Sequence, residues 1–412
     1  MRAAARLDTV PRLLEGIVRF RSSDRLRLAG PPPDTLNDHL QRYGHRPRRS
    51  AQESISALAT AGLSGRGGAH FRAAAKWQTT LAAGGGGYVV ANAAEGEPCS
   101  AKDAALLQHR PHLVLDGLAT AAEALGARGS VVWLHEHARE SQEAISRALA
   151  ERRASGLIES PVRVLTGPDR YLTGESSAVI NALGGGPAVP VFTRTPAARA
   201  GLGGLPTLVQ NAETLARVAL LARTNGYGEQ PGPLVTIVSP GTLTVAELSP
   251  YATVEDILRP VDTVLVGGYA GRWVRWPALA GQPLGGLVPD LGPGVIAPLP
   301  PDACGLTETA AVLDYLARSS ARQCGPCLFG TRALADTMAR VADGTARRAD
   351  VRRIAGLIGE VGGRGACGLP DGAAQVTGTA LAVFADDVDR HLHGRCLHPG
   401  AEPFLPIPVG HR

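Results

Sequence analysis

The chain has 412 residues, 44% of them hydrophobic and 19% charged, with 51 glycines and 31 prolines. That describes a globular protein of two or three domains, rich in turns but not disordered. A dispersed net charge of +5 and only 4% aromatics leave no basic or basic–aromatic stripe, which excludes nucleic acid as a partner. No apolar run approaches the roughly 20 residues of a membrane span. The opening "MRAAARLDTVPRLLEGIVRF" has no continuous apolar core of a signal peptide. The expectation is a cytoplasmic protein. Its six cysteines then read as reduced thiols, open to metal or redox roles. The cations are nearly all arginine; the two lysines are Lys76 and Lys102. A compact ammonium and a planar guanidinium differ at a phosphate site.

In chain order, residues 1–60 read as an Arg- and Pro-rich lead-in, and 61–230 as an α/β layered domain. "GYVVANAAEGEP" opens as a buried strand, and "PHLVLDGLATAAEALGA" carries apolar residues at the helical period. "GSVVWLHE", "RESQEAISRALAERRA" and "VRVLTG" continue as strand, helix and strand. Residues 231–290 read as a small β-grasp-like unit: a hairpin in "PLVTIVSPGTLTVAEL", a short helix in "ATVEDILRPV" and a strand in "TVLVGGYAGRWV". "LGPGVIAPLP" reads as a linker. Residues 300–395 read as a helical domain, with candidate helices at 306–320, 328–343, 348–362 and 373–393, then a tail, 396–412.

The cysteines lie between those helices. Cys324-Gly-Pro-Cys327 matches a thioredoxin tetrapeptide, but its approach, "TETAAVLDYLARSSARQ", has helical periodicity where thioredoxin needs a strand. With the glycine-flanked Cys367, the pair offers three thiolates for an iron–sulfur cluster or a zinc ion. Cys396 or a histidine of "HLHGRCLHPG" could complete a zinc set. Spacing alone does not choose between the metals.

Gly65, Arg66, Gly67 and Gly68 form a loop whose backbone N–H groups could cradle a phosphate, with Lys76 on the next helix as counter-charge. "ANAAEGEPCSAKD" comes straight off a strand, where open α/β sheets bind ligands. "YLTGESSAVINAL" and "GLPTLVQNAETLARV" add Glu175, Asn211 and Glu213. Each of these also has a plain reading as a helix cap or a turn.

Taken in order, "GRGGAHFRAAAKW", "NAAEGEPCSAKD", "YLTGESSA", "PTLVQNAETLA" and "CGPC…ACGL" resemble the flavoprotein (51 kDa-type) subunit of respiratory complex I. The diaphorase subunits of NAD-linked hydrogenases and formate dehydrogenases are similar. The resemblance implies a Rossmann-like FMN domain, a β-grasp (ubiquitin-like) domain and a C-terminal helical bundle. It implies NADH as substrate, FMN as hydride acceptor and an iron–sulfur cluster passing electrons to an iron–sulfur partner subunit or a ferredoxin. Gly65–Gly68 and Lys76 would hold FMN phosphate and ribityl. Asn92, Gly174, Glu175, Gln210 and Asn211 would contact the flavin, while Glu95 and Glu97 would line the nicotinamide pocket. Cys324, Cys327 and Cys367 would ligate the cluster.

The chain departs from the family pattern at named places. Ala321 stands where the first cluster cysteine belongs, which leaves three outcomes: a [4Fe–4S] cluster with another ligand, Cys304 being the nearest cysteine in sequence, a [3Fe–4S] cluster, or a lost cluster and a flavin-only protein. A retained cluster is expected, because the three cysteines and their glycines persist together. Ala94, His70, Arg72, Ser176 and Gln210 replace family residues around the flavin. These departures open two other readings: a flavin and iron–sulfur carrier without NADH activity, and a structural zinc-binding subunit.

Overall fold

In a computed structural model the described residues are 33–157, 160–193, 195–224, 232–287 and 290–408. Most of the lead-in, the boundary expected at 230/231 and the last four residues of the tail lie outside them. Helices α1 (Leu36–Tyr43), α2 (Ala51–Thr60) and α3 (Ala73–Ala82) precede the first sheet. Thr35 and Ser50 cap α1 and α2, each with an acid three residues on closing a capping box. Ile55 and Leu58 of α2 are buried in the main core, so this part of the lead-in belongs to the body of the protein.

The first sheet is built from β1 (Tyr88–Asn92), β2 (Gly129–His135), β3 (Val162–Gly167) and β4 (Thr207–Asn211), all parallel, in the order β3-β2-β1-β4. Helices α4 (Lys102–His109), α5 (Pro111–Ala124), α6 (Arg139–Ala154), α7 (Ser176–Leu183) and α8 (Ala212–Arg223) connect and cover these strands. The apolar runs of β1 and β2 are buried through their centres, as a sheet covered on both faces requires. Successive strands run outward from β1 to β3, and β4 then returns to the other side of β1. The topological switch point lies between β1 and β4, where open α/β sheets leave a crevice at the strands' carboxyl ends.

The second sheet has five strands, in the order β6-β5-β9-β7-β8: β5 (Leu234–Ser239), β6 (Thr242–Glu247), β7 (Thr263–Val266), β8 (Arg272–Arg275) and β9 (Val295–Pro298), with α9 (Leu284–Leu287) before β9. The hairpin read at 233–248 is β5–β6. Three expectations change here. "TVLVGGYAGRWV" is two antiparallel strands, not one, because Gly267 and Gly268 take positive φ and reverse the chain. "LGPGVIAPLP" is no linker: its four apolar residues become the central strand β9, parallel to β5 and antiparallel to β7. "ATVEDILRPV" shortens to one 3₁₀ turn at Val254–Asp256.

The C-terminal bundle comprises α10 (Gly305–Arg318), α11 (Thr331–Ala342), α12 (Arg348–Val361), α13 (Leu369–Val383) and α14 (Ala385–His391). The last candidate helix therefore breaks in two at Phe384, whose ring packs edge-on against Trp273 of β8 at 5.2 Å. The segment beyond α14 returns to the core. Phe404 and Leu405 donate their N–H groups to the Glu308 carboxylate at 2.8 and 3.3 Å, and the Tyr269 hydroxyl donates to the Pro406 carbonyl at 3.0 Å.

Candidate functional site

Asn92 and Asn211 end β1 and β4, and the parallel register makes them direct neighbours. Two side chains 119 positions apart in the chain are thereby set side by side at the switch point. Asn92 donates from its side-chain amide to the Gly174 carbonyl at 2.7 Å and accepts from the Ala94 N–H at 3.3 Å. A Cβ on Gly174 would lie 2.3 Å from the Ala94 carbonyl oxygen, so glycine alone lets the 171–175 turn approach β1 this closely. Glu175 then caps α7, accepting the N–H groups of Ser177 and Ala178 at 2.8 and 3.0 Å. Asn211 caps α8 by accepting the Glu213 N–H at 3.0 Å, and donates to Asp103 at 2.6 Å. Capping and site-lining, alternatives in sequence, are one arrangement here.

The glycine loop lies over the same end. An added Cβ on Gly67 would touch Asn211 Cβ at 3.4 Å. Gly68 has φ +96° with open space around it, and His70 has φ +46°, while the Gly65 N–H closes the loop on the Phe71 carbonyl at 2.9 Å. The Arg66 N–H donates to Thr214 of α8 at 2.9 Å, and its guanidinium lies 3.9 Å from Glu213. Lys76 donates to the Val209 carbonyl of β4 at 2.5 Å. Burial pulls its pKa down to about 8, although Glu175 opposes this. Gln210 is buried, and its Oε1 has no hydrogen-bond partner among the described residues.

These features fit a flavin mononucleotide. An open glycine turn and a destabilised ammonium suit a phosphate, and the orphaned Gln210 carbonyl oxygen suits a donor on the ligand.

Glu95 and Glu97 occupy the β1–α4 connection. Glu95 accepts from the Ser100 hydroxyl and, at 3.3 Å, from the N–H groups of Asp103 and Ala104. Burial, then the charge of Asp103, push it up to about 7. Glu97 accepts from the N–H groups of Tyr269 and Cys99 at 2.9 and 3.1 Å and from the Tyr171 hydroxyl at 3.4 Å. Burial pushes it up to about 7 as well. The rings of Tyr171 and Tyr269 both meet Tyr315 edge-on, at 6.1 and 5.4 Å, so Glu97 sits where the two sheets and α10 converge.

The sequence puts Lys102 and Asp103 in the segment that follows β1 but gives neither a role. In the structure Lys102 is fully buried, 2.7 Å from Asp103, 3.4 Å from Glu213 and 3.4 Å from Asn211 Oδ1. Arg217 continues the network to Glu213 and to Glu247 of β6, both at 3.2 Å. A lysine in an otherwise arginine chain is the one signal that could have found it.

The thiols gather at the far end of α10. Cys324 precedes, and Cys327 lies within, a π-helical turn, Pro326–Gly330, that leads into α11. Burial pushes Cys327 up to about 12, with Cys324 and Cys367 both adding to the rise. Burial also raises Cys367, and Glu175 adds to it. The turn that caps α7 in the cradle is thus an electrostatic neighbour of the thiols. The backbone of Ala321 opposes that rise at Cys327, and the backbone of Leu369 opposes it at Cys367. Arg322, next to Ala321, takes φ +54°, backbone strain of the kind that collects at binding loops. The donor set fits an iron–sulfur cluster held by three thiolates. Cys304 cannot supply a fourth. It stands at the start of α10, whose 14 residues separate its two ends by about 21 Å, and Cys324, Cys327 and Cys367 follow the other end.

Two family models match. The Nuo51 FMN-binding domain aligns with residues 58–220, and the NADH-ubiquinone oxidoreductase-F iron–sulfur binding region with residues 307–391. The chain belongs to this family. The second F-type chain of the NADH-quinone oxidoreductases of Rhizobium meliloti is 26% identical over 379 residues, covering 83% of this chain and 89% of that one. The F-type chain of the Mycobacterium bovis NADH-quinone oxidoreductase is 27% identical over 391 residues, covering 85% and 86%. A chain of an NAD+-reducing [NiFe]-hydrogenase superposes with a TM-score of 0.73 at 25% identity. It covers 85% of this chain, which spans only 64% of the hydrogenase chain. Among the described residues no helix is long and apolar enough to cross a membrane.

Proposed function

We propose that this chain is an NADH-oxidising flavoprotein whose electrons leave singly through the cysteine end. FMN, when bound, supplies a hydride acceptor that can release its two electrons one at a time. The reading is carried by one juxtaposition: Asn92 and Asn211 meet at the switch point beside a glycine loop whose Gly67 closes on Asn211.

In this reading Gly67 and Gly68 present backbone N–H groups to the phosphate, Gly65 and Arg66 pin the loop through their N–H bonds to the Phe71 carbonyl and Thr214, and Lys76 supplies the charge that a buried carbonyl contact leaves unbalanced. Asn92, Gly174, Glu175, Gln210 and Asn211 orient the ring and ribityl. Glu95 and Glu97 border the nicotinamide. Held near neutrality by burial, they keep excess negative charge from the donor, and Tyr171 and Tyr269 keep water out. Hydride transfer itself requires no side-chain acid or base.

Cys324, Cys327 and Cys367 hold the cluster, which supplies a one-electron carrier when bound; Ala321 leaves it one cysteine short. Leu328 and Phe329, 47% and 74% exposed, adjoin Cys327. There an iron–sulfur partner subunit or a ferredoxin docks. The relatives are named as parts of larger enzymes, and through such a partner the chain lies at the inner face of a membrane.

The test is the visible spectrum of anaerobically purified protein before and after NADH. Flavin bands over a broad iron–thiolate shoulder, both bleaching with NADH, are expected. Colour unchanged by NADH would replace this reading with a carrier reduced by another protein, and a colourless protein would end both.

A further inference from the structure

At the end of the bundle away from the cluster cysteines, a second group of metal-binding side chains converges. Cys304, at the start of α10, Cys396, beyond α14, and His391, the last residue of α14, place their ligand atoms within 4.8 Å of one another. Cys304 Sγ and His391 Nε2 are 3.5 Å apart. Cys304 and His391 are buried, and Cys396 is half-buried. We propose that Cys304, His391 and Cys396 bind one zinc ion.

Three observations select a metal over a chance contact of thiols. First, the spacing fits. Zinc–sulfur and zinc–nitrogen bonds at tetrahedral angles put ligand atoms roughly 3.5–3.8 Å apart. Second, the imidazole is already oriented as a ligand. His391 Nδ1 faces the carbonyls of Ala342 and Val341 at 2.8 and 3.1 Å. The ring proton must sit on Nδ1 to donate there, which leaves the Nε2 lone pair aimed at Cys304. A histidine whose second nitrogen donates to a backbone carbonyl is the usual partner shell of a zinc ligand. Third, the His398 N–H donates to Cys396 Sγ at 3.4 Å, a contact that favours the thiolate.

Two thiolates and a neutral imidazole form a mixed sulfur and nitrogen set that suits zinc and not calcium or magnesium. Their charge balances a divalent ion. His398 is the protein residue next in line for the fourth position, and water takes it otherwise. Zinc has no redox chemistry, so this ion carries no electrons. It joins the start of α10, the end of α14 and the returning segment, with the carbonyls ending α11 behind the histidine. The inference is independent of the flavin reading.

The experiment is metal analysis of the full chain purified without a metal-affinity step, with X-ray absorption at the zinc edge. About one zinc per chain is expected beside the iron, with two sulfur and one or two nitrogen neighbours. Cys304→Ser with Cys396→Ser should lose the zinc and keep iron and flavin, whereas Cys324→Ser should lose iron and keep zinc. Should the double variant fail to fold, His391→Gln and the wild-type zinc environment still decide. A Cys304–Cys396 disulfide in the untreated protein overturns the proposal. So does zinc with more than two sulfur neighbours, zinc lost with Cys324, or no zinc after incubation with zinc chloride.

Discussion

In the cradle at the ends of β1 and β4, almost every polar side chain has a structural partner of its own. Glu175 and Asn211 cap helices, Asn92 ties down the 171–175 turn, and Lys102 and Asp103 neutralise one another. At the far end of α10 the thiols raise one another's pKa, and only the backbone of Ala321 and Leu369 opposes the rise, each at a single sulfur. The first region is shaped by the fold and only then offered to a ligand. The second acquires its full set of interactions when a cluster binds. Losing a residue should therefore cost the two regions differently: stability in the cradle, content at the cysteines.

The sharpest contrast comes from Cys327→Ser. It should remove essentially all cluster iron while flavin remains, read as iron per chain against flavin absorbance. Flavin lost together with the iron would erase the distinction between the regions. Next, Lys102→Ala strands Asp103 and Glu213 in a buried network and should destabilise the chain by about 3–5 kcal/mol in urea. A change typical of a surface pair, below about 1 kcal/mol, would show that the cradle is not built this way.

Glu97→Gln tests burial itself. A carboxyl raised from 4.5 to about 7 on folding binds its proton more tightly in the native state. Its contribution is fully present below pH 4.5 and is lost as pH rises through about 7. Replacing it should flatten this part of the stability–pH curve, by on the order of 2–3 kcal/mol. The mildest effect is expected from Lys76→Gln, which should weaken FMN binding about 10- to 100-fold, the worth of one charge-assisted contact, and leave folding unchanged. Titration of flavin-free protein with FMN measures it.

The two regions also differ in legibility. Strands β1 to β3 and helices α5 and α6 announce themselves by period, and the hairpin of β5 and β6 by its Ser-Pro-Gly turn. The Cys-x-x-Cys spacing marks the thiol end without help from the fold. What sequence could not convey was adjacency. Asn92 and Asn211 become neighbours only through a parallel register. Cys304 and His391 are 87 positions apart and share no motif. β9 has only four residues, in a Pro- and Gly-rich setting, too short for alternation to register, so it reads as a linker although it is the middle of a sheet. Lys102 has the sequence context of a surface helix start, and only tertiary packing makes it a fully buried cation beside the site.

That charge network has a practical consequence for anyone who would treat the flavin-binding portion as an interchangeable cassette. Lys102, Glu213 and Arg217 belong to α4 and α8, yet Arg217 reaches Glu247, and Glu213 accepts the Leu234 N–H at 3.2 Å. Cutting the chain between α8 and β5, or grafting a foreign second sheet, would leave an arginine facing an empty slot. Hybrids with related proteins should respect this seam and exchange both sheets as one piece.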